Sequence, residues 1–167
     1  MEEREEREER DPLTGVYVCQ ETERRVQEIL QKNTGQRYHL ALLHLWNMNE
    51  FVEEFGSAFA MAMVQNYAII LRKYYVGFGE GSLVGRVQKD TFLIFLPSSD
   101  TSEVERHAAY VFEKVKGSYF GRSKDIHPRL TMAFCHIREG ECDLSRILQH
   151  AGSAMEYGRV SREPLVF

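Results

Sequence analysis

The chain has little of what several specialised folds require. Only three cysteines occur in 167 residues. Cys19, Cys135 and Cys142 are odd in number and lack Cys-x-x-Cys spacing, so neither a disulfide framework nor a zinc knuckle is indicated. No apolar run approaches the roughly 18 residues that spanning a bilayer takes, and no charged-then-apolar leader opens the chain. Positive charge is not in excess either. Lys and Arg number 21 against 25 Asp and Glu, a net charge of −4, which disfavours a general nucleic-acid or anionic-membrane binder. Aromatics make up 11% but stand at core spacing without interleaved basic residues, which speaks against RNA binding. What remains, 43% hydrophobic and 28% charged residues, is enough for a globular core. A soluble, reduced, cytoplasmic protein is expected, with no nucleic-acid partner and no membrane insertion.

Catalytic signatures that can be tested by spacing also fail. There is no G-x-S-x-G elbow and no GxxxxGK[ST] loop. Gly77, Gly79 and Gly81 precede a strand pattern rather than a helix, which excludes the dinucleotide fingerprint.

The first ten residues, MEEREEREER, pair Glu and Arg at three- and four-residue offsets, which favours a solvated helix. Without an apolar stripe it packs no core. Residues 1–10 therefore read as an exposed arm or the end of a helix arriving from an upstream domain, and residues 11–167 as one domain. Asp11-Pro12-Leu13-Thr14-Gly15 has turn chemistry. A helix is predicted over 20–33, stopped by Gly35, and a buried strand over Tyr38–Trp46. Asn47 is placed to cap a short helix, 48–55, which Gly56 closes; a long core helix follows over 57–75. Ser82–Val87 and Thr91–Leu96 form a hairpin around Gln88-Lys89-Asp90. Thr101 or Ser102 caps the next helix. A strand over 130–137, a helix over 145–157 and a short final strand over 164–167 complete the order. Helices alternate with strands around one direct hairpin, so the fold class is α/β (α+β): a mixed central sheet of about five strands with helices on its faces.

This order and three landmarks resemble the GGDEF domain of bacterial diguanylate cyclases. Asp11–Gly15 matches that family's DxLTG turn, Val84–Phe92 followed by LIFLP is similar to its signature hairpin, and Ala151–Arg159 resembles its late ADxALYxAK helix. The likeness covers residues 11–167. It implies a nucleotidyl-cyclase-like sheet with a ferredoxin-like core. The implied activity is condensation of two GTP into cyclic di-GMP between two facing domains.

The residues that would carry this chemistry depart from the family pattern. Gln88 and Lys89 replace the hairpin glycines, where bare backbone lets phosphates approach. Asp90 keeps the metal-binding carboxylate, Thr91 replaces the adjoining Glu, and Phe92 reads as a core residue. His44-Leu45-Trp46 stands where the family has DxD, so a Mg²⁺ carboxylate becomes an imidazole. Val52 and Met61 occupy the two guanine-reading positions, and neither can hydrogen-bond a base edge. Arg159 retains a cation where the family binds phosphate, while Glu163 falls where an Arg is expected. Gly79–Ser82 lacks the RxxD of the product-inhibition site. The resemblance thus implies a degenerate, catalytically inactive domain acting as a regulatory or interaction module and needing no cofactor. The alternatives are a divergent cyclase using Mg²⁺, or a nucleotide sensor without chemistry. Expected partners are an upstream sensory domain, a downstream domain and a second copy in a homodimer.

Each residue also has a plainer reading. His44 is either a softer-metal ligand with Asp90 or a hydrogen-bonded strand-end histidine. Trp46 and Met61 line a pocket or fill the vacated cleft. Asp90 holds a cation weakly or is a turn residue, and Lys89 answers an anion or is solvated. Asp11 and Arg86 are expected to pair as a structural tie.

Overall fold

The longest apolar run, Tyr38–Leu45, is the middle strand of a six-stranded sheet in the computed structural model, which describes residues 9–32, 35–98, 100–121 and 125–167. Of the helical arm expected over residues 1–10, residues 1–8 lie outside the described residues. In chain order the elements are β1 (Tyr17–Val18), α1 (Cys19–Lys32), β2 (Tyr38–Leu45), α2 (Met48–Phe55), α3 (Ser57–Tyr75), β3 (Leu83–Gln88), β4 (Thr91–Leu96), α4 (Thr101–Gly117), β5 (Leu130–Ile137), α5 (Leu144–Ser161) and β6 (Leu165–Val166). The strands lie in the order β1-β3-β4-β2-β5-β6. β2 is antiparallel to both neighbours, β4 and β5, while the outer pairs β1–β3 and β5–β6 are parallel.

Burial on both faces explains why β2 reads as a continuous apolar run rather than an alternating one. Leu43 and Leu45 point toward α2, α3 and α4, where Phe51, Met63, Leu71 and Val111 complete one core. Leu40 and Leu42 point toward α1 and α5, where Val26, Leu30, Ile147 and Ala151 complete the other. The period of two carries to the strand's end. His44 pairs with Thr91 on β4 and Thr131 on β5, so these three side chains form a row on the α1/α5 side of the sheet.

Two glycines set how closely helices approach the sheet. A β-carbon at Gly85 would lie 1.8 Å from the Thr22 hydroxyl on α1, and one at Gly158 would lie 2.8 Å from the Thr131 methyl under α5.

Four local differences from the expected elements have physical causes. The sheet has six strands rather than about five, because β1 is only two residues long and carries no periodicity. Asp100, not Thr101 or Ser102, caps α4, its carboxylate accepting from the Glu103 amide. α5 runs four residues past Tyr157. Glu9 and Arg10 belong to the globular body: the Val18 amide donates to the Glu9 carbonyl, Glu9 pairs with Arg25, and Arg10 lies over the Tyr17 ring. Among the described residues no helix is long and apolar enough to cross a membrane.

Candidate functional site

The β3–β4 turn and the end of β2 meet where the sequence expectations concentrate. The Leu45 amide donates to the Asp90 carbonyl at 3.0 Å, which fixes the turn against β2. His44 Nδ1 then lies 2.6 Å from Thr91 Oγ1 and 3.6 Å from Asp90 Oδ1. Thr91 Oγ1 also lies 3.2 Å from Asp90 Oδ1 and 3.3 Å from Gln88 Oε1. Burial holds the His44 imidazole below its ordinary pKa, and the Asp90 charge opposes this only in part. The ring is therefore neutral near pH 7. Lys89, expected to be solvated or to face an anion, reaches from the turn to α2 and donates to Asn49 Oδ1 at 3.2 Å.

Trp46 follows β2 and turns toward β5. Its indole N–H donates to Thr131 Oγ1 at 2.9 Å, its ring meets the His44 ring edge-on at 4.2 Å, and the Arg159 guanidinium lies 5.4 Å from its centre. Arg159 is held by Glu156 one turn back on α5. Asn47 makes no capping bond for α2. Its side chain instead clasps the segment before β5, donating to the His127 carbonyl at 2.8 Å and accepting from the Arg129 amide at 2.8 Å. These long-range partners outcompete the local cap. Beside Trp46 opens a cavity of about 510 Å³, lined by Trp46, Arg129, Thr131, Arg159 and Arg162 with Gly158 and Pro164.

Val52 and Met61, at the two positions where the family reads guanine, lie on helices α2 and α3. Val52 is half-buried on α2, packed against the core. Met61 is 48% exposed on α3. Phe92 is a core residue, 2% exposed.

On the other flank of the hairpin, Arg86 and Asp11 do meet. Arg86 Nη1 lies 3.1 Å from Asp11 Oδ2, and both side chains are mostly buried, 14% and 17% exposed. The same carboxylate oxygen accepts from the Thr14 amide and hydroxyl. Arg86 Nε and Nη2 donate to the Lys89 carbonyl at 3.2 and 2.6 Å. One guanidinium thus joins the opening turn to the hairpin. Thr131, Arg129 and Arg162 were not singled out by sequence; they come from a strand and a helix end that only the folded register brings to Trp46.

The chain matches the family described as "Diguanylate cyclase, GGDEF domain" over residues 8–162. Among solved structures it is similar to the coiled coil and GGDEF domain of DgcB from Caulobacter crescentus in complex with c-di-GMP (TM-score 0.86, 15% identity, 99% of this chain and 87% of that one). It is also similar to diguanylate cyclase SiaD from Pseudomonas aeruginosa in complex with its activator SiaC (TM-score 0.78, 22% identity, 99% and 63%). A third is the S helix-GGDEF-EAL structure of Vibrio cholerae LapD bound to c-di-GMP (TM-score 0.81, 16% identity, 98% and 38%). No curated protein matches in sequence. The match across most of its length makes this chain a member of the GGDEF domain family, and the structural likenesses show the same fold.

Proposed function

We propose that this GGDEF domain does not condense GTP and instead serves as a regulatory or interaction module of a cyclic di-GMP signalling protein. The observation that carries the reading is the cluster of Thr91, His44 and Asp90, whose polar atoms are directed at one another at 2.6–3.6 Å. The family's Mg²⁺ does not fit this donor set. Mg²⁺ demands hard oxygens in a near-octahedral arrangement. The cluster offers one carboxylate beside an imidazole and a hydroxyl that already use each other. Among the described residues no three His, Cys, Asp or Glu side chains converge on one point.

Two further features support the reading. Gln88 and Lys89 place side chains where the family has bare backbone, and the Lys89–Asn49 contact bridges the turn to α2. Val52 and Met61 offer a purine edge nothing to hydrogen-bond, and unpaired polar edges in a binding site cost on the order of several kcal/mol of discrimination. The retained Asp11–Arg86 tie keeps the hairpin fastened to the opening turn, as a domain that passes on conformational change requires. The relatives carry a coiled coil, an S helix with an EAL domain, or a bound activator. The chain spans 63% of the SiaD chain and 38% of the LapD chain. A sensory domain upstream, a further domain downstream and a second copy are the partners this role calls for.

The test is a cyclase assay with GTP and either Mg²⁺ or Mn²⁺ at high protein concentration. No cyclic di-GMP is expected; steady turnover abolished by Asp90→Ala would overturn the reading. A second reading, a nucleotide sensor without chemistry, draws on Arg159, which still faces Trp46. Calorimetry with GTP separates the two: saturable GTP binding without product would favour the sensor.

A further inference from the structure

The geometry points to the outer ridge of α3 as the surface on which a second copy of this chain docks, antiparallel, about a twofold axis at Gln65. α3 packs on the sheet through Ala60, Met63, Tyr67, Leu71 and Tyr75. At 3.6 residues per turn, Ala58, Met61, Gln65, Ile69, Arg72 and Val76 share an arc of about 80° on the other side. Met61, Ile69 and Val76 on this ridge are 48%, 61% and 52% exposed. Exposed apolar side chains grouped on one face mark an interaction surface. The opening turn holds one flank of the ridge without covering Ile69: Gln65 Nε2 donates to the Leu13 carbonyl at 3.1 Å.

Charge says what covers the ridge. α3 has no Asp or Glu in its 19 residues and ends in exposed Arg72 and Lys73. α2, which immediately precedes it, has the reverse: exposed Glu50, Glu53 and Glu54 and no Lys or Arg. Among the described residues Glu53, Glu54, Arg72 and Lys73 join no ion pair. The surface is therefore acidic where α3 begins and basic where it ends, about 28 Å further on. Such a surface is its own complement when a copy is turned end for end, the isologous arrangement of a twofold dimer.

The spacing fits the same operation. Met61 and Ile69 stand four residues either side of Gln65, so Met61 of one copy meets Ile69 of the other. Arg72 and Lys73 fall beside Ala58 and Ser57 of the second copy, small residues that leave room for long side chains, with Glu54 and Glu53 just beyond. The two Arg72 residues stay about 21 Å apart, whereas a parallel pairing would set like charges together. One helix face buries less than the roughly 1,200 Å² of a standard interface, so the dimer is weak and reversible. No residue of the β3–β4 turn belongs to the ridge, so this is not a pairing of hairpin to hairpin.

The test is sedimentation velocity on the whole chain from about 10 μM to about 1 mM, the range so small a face calls for. A reversible monomer–dimer equilibrium is expected. Ile69→Glu, at an exposed position, should keep Tm and weaken the dimer about tenfold or more, since symmetry counts each loss twice. Lys73→Glu should weaken it about threefold, and adding Glu54→Lys in the same chain should restore it. Cross-linking locates the axis. In a Cys142→Ser background under mild oxidant, Gln65→Cys should form a disulfide-linked dimer through position 65, and Lys89→Cys at the hairpin tip should not. The proposal fails if the chain stays monomeric throughout, if Ile69→Glu dimerises as the parent does, if the charge swap restores nothing, or if Lys89→Cys cross-links in place of Gln65→Cys. It does not rest on the silent-domain reading: cyclase turnover would end that reading and leave the pairing of α3 ridges as it stands.

Discussion

The two flanks of the β3–β4 hairpin differ in what their polar groups do. On the flank facing the opening turn, Arg86 and Asp11 are largely buried and every contact is between unlike partners: guanidinium to carboxylate, guanidinium to carbonyl, hydroxyl and amide to carboxylate. On the flank facing β2, an imidazole, a hydroxyl and a carboxylate share a few hydrogen bonds. The first flank is a joint that ties the hairpin to the opening turn. The second is a small polar cluster between the turn and the end of β2.

That contrast can be broken from the scaffold side first. Gly85→Ala, next to Arg86, would drive a methyl group into the buried Thr22 side chain and should cost about 3 kcal/mol, a Tm lower by roughly 9 °C in a thermal melt. Arg86→Ala strands Asp11 and frees the Lys89 carbonyl. Partial exposure limits the penalty, so about 2 kcal/mol is expected from urea unfolding. A loss below about 0.5 kcal/mol would show that the joint is ornamental.

The cleft flank should respond to pH through its histidine. Burial lowers the pKa of His44, and of His39 deeper in the same strand, from an ordinary 6.5. The unfolded chain therefore binds these protons first. The stability each contributes is present above pH 6.5 and is lost as pH falls through the lower folded values, by at most about 1.4 kcal/mol per pH unit for each ring. Tm should decline below pH 6.5, and His39→Gln should flatten the decline; an unchanged slope would remove His39 from the account. Smaller still, Thr91→Val removes the hydroxyl that His44 shares and should cost about 1 kcal/mol in the same unfolding measurement. Lys89→Gly, which deletes the exposed contact to Asn49, should change stability by only a few tenths of a kcal/mol.

Much of this architecture was readable from residue order because the signals are local. β2 is a long apolar run because both its faces are covered, the hairpin is bracketed by turn residues, and the helices keep their 3.6-residue stripes. β1 was not readable, since two residues cannot carry a period. The cap of α4 was ambiguous because Asp100, Thr101 and Ser102 all have capping side chains, and backbone geometry alone selects Asp100. Of the site, His44, Asp90, Thr91, Arg86 and Asp11 were reachable through the family likeness. Asn47 was placed at the right position with the wrong partners, because its partners stand some 80 residues onward. Thr131 and Arg129 depend on the β2–β5 register, which no single strand's pattern encodes. Arg162 depends on a backbone angle that its residue type disfavours.

The opening turn has a mechanical consequence. Glu9 and Arg10 are stitched to β1, Asp11 to Arg86, and Arg86 to the carbonyl at the hairpin tip, with no slack segment between them. The chain at residue 9 is thus joined to the tip of the β3–β4 turn, some 80 residues later in sequence, through a short series of hydrogen bonds and one ion pair.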